Sequence, residues 1–248
     1  MAKRKFPSDR AAPIPPLDLP AMKWLRRLRE APVTSALILA NLAIYAWMAA
    51  TSRTVLGFDY ATMIYGGANV PGSHQVVSHW RWLTAAFVHF NLLHIGVNMW
   101  TLTQIGVISE ATIGGGLIAA AYVLTGVSGN VASTLFYGWR DQPHQSAGAS
   151  GALMGLIGIV AAFAWRTGQR GITRMLLINV GIIMVLGVAV NIDNAAHLGG
   201  FVVGGIIGLL RARWPRPLPR RLNVALIGGS LALSITAFVV VRSYHGMH

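Results

Sequence analysis

Of the 248 residues, 54% are hydrophobic and 11% charged, against roughly 25% charged in an ordinary soluble domain. A soluble globular class is excluded, because the chain lacks the charge to clothe such a surface. The net charge of +13 lies in short basic runs between apolar segments, an orientation signal that excludes nucleic acid as the partner; the absence of cysteine excludes disulfides, thiolate metal sites and a cysteine nucleophile.

Residues 1–30 form a basic tail with a Pro-rich stretch, residues 12–20. It lacks the layout of a cleaved signal peptide, and residues 24–29 are a candidate surface helix. Seven apolar segments follow, each near the roughly 20 residues that cross a hydrocarbon core of about 30 Å: 33–50, 91–109, 113–135, 147–165, 172–190, 195–210 and 222–241. The connection 51–83 is rich in Gly, Pro and aromatic residues. Within it, Trp80, Arg81 and Trp82 read as an interfacial aromatic belt with a snorkelling arginine. With seven spans, sixteen Lys and Arg fall on the side of the N-terminus and four (Arg53, Arg81, Arg140, Arg242) on the other. The N-terminus is therefore expected in the cytoplasm and the C-terminus outside. The expected fold is an all-α membrane protein, a polytopic helical bundle. Its parts are a cytoplasmic tail (1–30), a six-span core (31–212), and a linker with a seventh span (213–248).

Ionisable and polar side chains inside a span mark function. They are read here as His89, His94 and Asn98 around span two, Ser150 in span four, and Asp193 and His197 at the head of span six. At about 1.5 Å of rise per residue, His94, Ser150 and His197 each lie some 3–5 Å below the start of a span that begins outside. Serine needs a neighbouring base to become nucleophilic, and histidine suits that task and the return of the proton. His94 and Asn98, four apart, share a helix face and can donate to an oxyanion, as can free N–H groups at the helix start of Ser150. Taken singly, each residue has a plainer reading. Ser150 and Gly151-x3-Gly155 fit close helix packing, as do His197 and Gly199, Gly200, Gly204 and Gly205. Asp193 reads as an N-cap or as the acid of a triad, and His89 as an interfacial residue. Their shared depth favours the chemical reading of Ser150, His94 and His197.

His89-x4-His94-x3-Asn98, Gly148-Ala149-Ser150-Gly151 and Ala196-His197-x-Gly199, on three consecutive even-numbered spans, resemble the rhomboid family of intramembrane serine proteases. Trp80-Arg81 resembles its tryptophan–arginine pair in the first long loop, and Glu110 its acidic residue after span two. The resemblance covers residues 33–210 and implies a six-helix catalytic core with the seventh span as an addition. It implies a Ser150–His197 dyad without aspartate, and an oxyanion hole of His94, Asn98 and the Ser150 N–H. Gly148, Gly151, His89 and Met154 are supporting residues; Met154 stands where the family often has an aromatic residue stacking on the catalytic histidine. The implied partners are transmembrane protein substrates and the lipid bilayer, cleaved near the outer face, with span five and the outer loops gating entry. No cofactor or metal is implied, and no His-Glu-x-x-His pattern occurs. The location implied by a small core and short tail is a bacterial inner membrane. A proton relay is the competing class, but no chain of polar residues leads from this cluster to the cytoplasmic side.

Overall fold

The computed structural model describes residues 28–71, 79–189, 192–214 and 216–245; most of the candidate surface helix at 24–29 lies outside them. Every regular element among the described residues is helical. α1 is Pro32–Ser52. The connection after it holds α2, Tyr60–Gly66, and α3, Arg81–Thr84, which tightens into a 3-10 turn, Ala85–Phe87. α4, Leu92–Thr101, passes through a π-helical turn, Leu102–Gly106, into α5, Val107–Ile113. Then come α6, Gly115–Trp139, α7, Ser150–Arg166, α8, Arg170–Ala189, α9, Asn194–Arg213, and α10, Arg220–His245.

Five of these, α1, α6, α8, α9 and α10, are long and apolar enough to cross a membrane, fewer than the seven apolar segments. Two segments take another form. The second is broken by the π turn into α4 and α5, and the fourth begins at Ser150 instead of residue 147. Gly148 causes the late start: its φ of +121° is open to glycine and strained for other residues, so no helix passes through it.

Helix starts leave backbone N–H groups without partners, and side chains fill several of these places. Ala31, ahead of α1, has no capping side chain. Glu110 of α5 supplies one from 76 residues away, accepting from Thr34 N at 2.7 Å, Thr34 Oγ1 at 2.7 Å and Val33 N at 3.1 Å. Bonds to a charged group contribute about 1.5–3 kcal/mol each, and they fix α5 to the start of α1. Asn91, Asp59 and Asp193 cap α4, α2 and α9 locally.

Arg81 departs from the snorkelling reading. It is 2% exposed and donates to Ile64 O at 2.7 Å and Ala68 O at 2.9 Å, closing the C-terminal end of α2. Trp82 also turns inward, its Nε1 donating to Thr134 Oγ1 at 3.0 Å. The belt pattern misled because guanidinium N–H groups can be met by the free carbonyls of a short helix end, here from Nη1, as well as by interfacial water.

α7 is the central helix, with thirteen of its 17 residues buried, whereas α8 buries Leu176 and Gly187 alone. α7 and α9 meet backbone to backbone. A Cβ at Gly200 would overlap the carbonyl of Gly151, one at Gly204 that of Gly155, and one at Gly208 that of Ile159. Small residues provide this approach where lipid supplies no hydrophobic drive between helices. Gly205, read from the sequence as part of the same face, has nothing near it. Gly204→Ala is therefore expected to lower the thermal unfolding midpoint of the detergent-solubilised protein, the overpacking costing about 1–3 kcal/mol. Gly205→Ala, facing open space, leaves the midpoint in place.

Candidate active site

Ser150 is the first residue of α7, and the segment before it is held at Ser146, Gly148 and Ala149. Ser146 exchanges two backbone bonds with Asn69, each 2.9 Å, and Gly148 N donates to Ala85 O at 2.9 Å. Ala149 N donates to His89 Nε2 at 3.4 Å. The first N–H in the helix bonded back along the chain is that of Leu153, to Ala149 O at 2.9 Å. The N–H groups of Ser150, Gly151 and Ala152 are left for other partners.

α4 brings the second motif to the same place. His94 lies with its ring edge on Gly148: a Cβ there would stand 2.7 Å from Cε1 and 2.8 Å from Nε2. Glycine is thus required at 148 both by backbone conformation and by space. The other side of the imidazole stacks on Phe90 at 5.6 Å and 17°, and His89 meets it edge-on at 5.1 Å. Asn98 is buried one turn further on, its Nδ2 donating to His94 O at 2.8 Å; the amide's second hydrogen is uncommitted by that bond. His89 is fully buried, which corrects the interfacial reading. Its Nδ1 faces Phe87 O at 3.2 Å, so the proton sits on Nδ1 and Nε2 accepts from Ala149.

α9 supplies His197, which is 3% exposed, with neither ring nitrogen hydrogen-bonded among the described residues. Asp193 does not orient it. The carboxylate accepts from Ala196 N at 2.9 Å, capping α9, and from Ser133 Oγ of α6, while His144 Nε2 stands 3.9 Å away. Of the two readings of Asp193, the capping one holds. The helices of Ser150 and His197 touch at the adjoining residues: a Cβ on Gly151 would lie 3.5 Å from the carbonyl of Ala196. Ser150, His197, His94, Asn98, Gly148, Gly151 and Met154 all line one cavity of about 750 Å³, whose apolar wall includes Ile157, Ile183 and Leu186. His89 is not part of that lining and lies against His94 and the Ala149 N–H. No cluster of metal-binding side chains occurs among the described residues.

Several further polar residues inside the spans, unmarked by the sequence motifs, are buried around the site. Asn130 of α6 is buried and donates to Trp82 O at 3.0 Å and Gly126 O at 3.2 Å. Its Oδ1 accepts from Ser146 Oγ at 3.3 Å, and its carbonyl accepts from Asn69 Nδ2 at 3.3 Å. It therefore joins α6 to both loops flanking the cavity, which it also lines. Tyr122, also of α6, joins α1 to the 3-10 turn, accepting from Asn41 Nδ2 at 3.1 Å and donating to Ala86 O at 3.0 Å. The available signal was an amide within an apolar run, where an unsatisfied polar group is costly. His144, on the cavity rim, stacks on Tyr137 at 4.0 Å and 9°; nothing in its sequence context marked it.

Comparison with known proteins follows the same residues. The family model described as Rhomboid domain matches residues 77–214. The chain is 30% identical over 204 residues to the rhomboid protease GlpG of Photorhabdus laumondii, covering 78% of this chain and 65% of that one. It is 30% identical over 210 residues to the rhomboid protease GlpG of Serratia proteamaculans, covering 80% and 68%. To the rhomboid protease GluP of Bacillus subtilis it is 31% identical over 179 residues, covering 68% and 32%. The chain spans from about a third to two thirds of the length of the first curated relatives it matches.

Burial holds the His144 imidazole below the usual histidine range, opposed by the Asp193 charge. A group whose folded pKa is lowered stabilises the fold when neutral, and that contribution fades as pH falls from the ordinary value near 6.5. His144→Gln is expected to flatten the fall of the thermal unfolding midpoint below about pH 6.5. A midpoint–pH curve parallel to that of the unsubstituted protein would contradict this.

Proposed function

The chain belongs to the rhomboid family, and from that premise we propose that it is a serine endopeptidase cutting transmembrane segments within the bilayer. The observation that carries this reading is that Ser150 and His197, on two helices in backbone contact, line one cavity with His94 and Asn98. Ser150 Oγ attacks the scissile carbonyl while His197 takes its proton, then passes it to the leaving amine. The oxyanion is received by the Ser150 N–H, Asn98 Nδ2 and His94. No aspartate is needed: Asp193 is engaged with Ala196, Ser133 and His144, and a dyad does the proton transfer. The lack of a bonded partner for either His197 nitrogen among the described residues supports a ring free to face Ser150.

The wider reading follows from this chemistry. The chain crosses the membrane seven times, with α4, the π turn and α5 as the second span and α7 as the fourth. Its N-terminus lies in the cytoplasm of a bacterium and its site opens near the outer face. The substrate segment enters beside α8, whose scant burial suits a movable wall and whose Ile183 and Leu186 reach the cavity. The products are two membrane-derived fragments, and water reaches the dyad from the outer end.

With detergent-solubilised protein and a single-span substrate, Ser150→Ala and His197→Ala are expected to abolish cleavage while the unfolding transition stays cooperative. Undiminished cleavage by Ser150→Ala would sink the assignment. Asn98→Ala is expected to lower turnover by about 10- to 1000-fold, reaching up to the loss typical of one oxyanion donor. Ser150 in that variant remains open to a serine-reactive probe; complete loss of labelling would make Asn98 a structural residue.

A further inference from the structure

α10 lies outside the three motifs, and one narrow stripe of its C-terminal half faces the bundle. Ala237 and Val241 are fully buried. Phe238 meets Phe87 at 6.1 Å and 65° and covers the small cluster of Met48, Met63, Ala68 and Val88. One turn on, the Arg242 guanidinium lies 4.1 Å from the ring centre of Tyr65 and 4.7 Å from that of Trp47, two rings that stack on each other at 5.9 Å. Its Nη1 is buried with no hydrogen-bond partner among the described residues, so ring faces hold the cation. α10 thus clasps α1, α2 and the 3-10 turn together.

The 3-10 turn leads on to Ser150. Each of its carbonyls is engaged: Ala85 O by Gly148 N–H at 2.9 Å, Ala86 O by Tyr122 O–H at 3.0 Å, and Phe87 O by His89 Nδ1–H at 3.2 Å. The other nitrogen of His89 accepts from Ala149 N–H. The two residues before the proposed nucleophile are therefore hung on the turn that Phe238 supports. A misplacement of about 1 Å, arising far from the chemistry, can cost about 100-fold in rate.

We propose that α10 is a positioning element of the active site. Phe238 and Arg242 hold the 3-10 turn and α2 in place, and the turn sets the Gly148-Ala149 backbone that presents Ser150. The inference rests on the reading of Ser150 as nucleophile. Neither residue touches substrate, so the expected signature is a change in kcat with KM retained.

The test uses the full-length chain in detergent and three measurements: the rate at which a fluorophosphonate labels Ser150, kcat and KM on a single-span substrate, and amide hydrogen exchange at Gly148 and Ala149. Phe238→Ala is expected to slow labelling and lower kcat by about 10-fold, with KM within about twofold, within the scale set by active-site misplacement. Exchange at Gly148 and Ala149 quickens. Phe238→Leu recovers most of the loss, and Arg242→Met shows a smaller loss of the same kind. Val239→Ala, on the exposed side of the same helix, leaves all three readouts unchanged. Folded Phe238→Ala protein with unsubstituted labelling and exchange rates, or a loss confined to KM, overturns the proposal. Should Phe238→Ala fail to fold, Arg242→Met decides by the same criteria. An unsubstituted protein that neither cleaves nor is labelled refutes the Ser150 reading and this inference with it; a labelled one with unaltered variants refutes this inference alone.

Discussion

The backbone contact between α7 and α9 is the constraint on which the rest depends. Gly200 and Gly204 lie so close to the carbonyls of Gly151 and Gly155 that neither can carry a side chain. Two helices at that separation have one register, because sliding by a residue drives a Cβ into a carbonyl. The register fixes the relation of Ser150, beside Gly151, to His197, three residues before Gly200. Packing and chemistry are thus two uses of one surface.

A second constraint acts on the loops. The segment leading to Ser150 has no regular structure to hold it, so its polar groups must be satisfied by neighbours. Asn130, His89, Ala85 and Asn69 do this from three different parts of the chain. Arg81 and Glu110 apply the same logic to helix ends, with charged groups turned inward to meet free backbone donors or acceptors. In an apolar medium such bonds have no water to compete with, and each ties together segments distant in sequence.

The contrast between α7 and α8 follows. α7 is enclosed on almost every side, which fixes Ser150 at its first turn. α8 is held by few buried residues although it forms part of the cavity wall.

The sequence by itself determined the membrane class, the order of the apolar segments, and the three motifs whose side chains meet in the cavity. These are local properties: hydrophobic length, charge distribution and residue spacing are written along the chain. It also marked Asp193 as a cap, because an acidic residue just ahead of a helix has a short-range role. Tertiary structure alone decided the rest. Arg81 looked interfacial until α2 offered it carbonyls, and His89 looked peripheral until Phe87 and Ala149 enclosed it. Asn130 and Tyr122 gave no sign of which segments they join, and Gly205 could not be told from Gly204 before the facing helix was in place. Phe238 and Arg242, at the end of an apparently separate helix, proved to be neighbours of the first loop. In each case the partner lies dozens of residues away, and spacing within one helix says which face a residue occupies but not what that face meets.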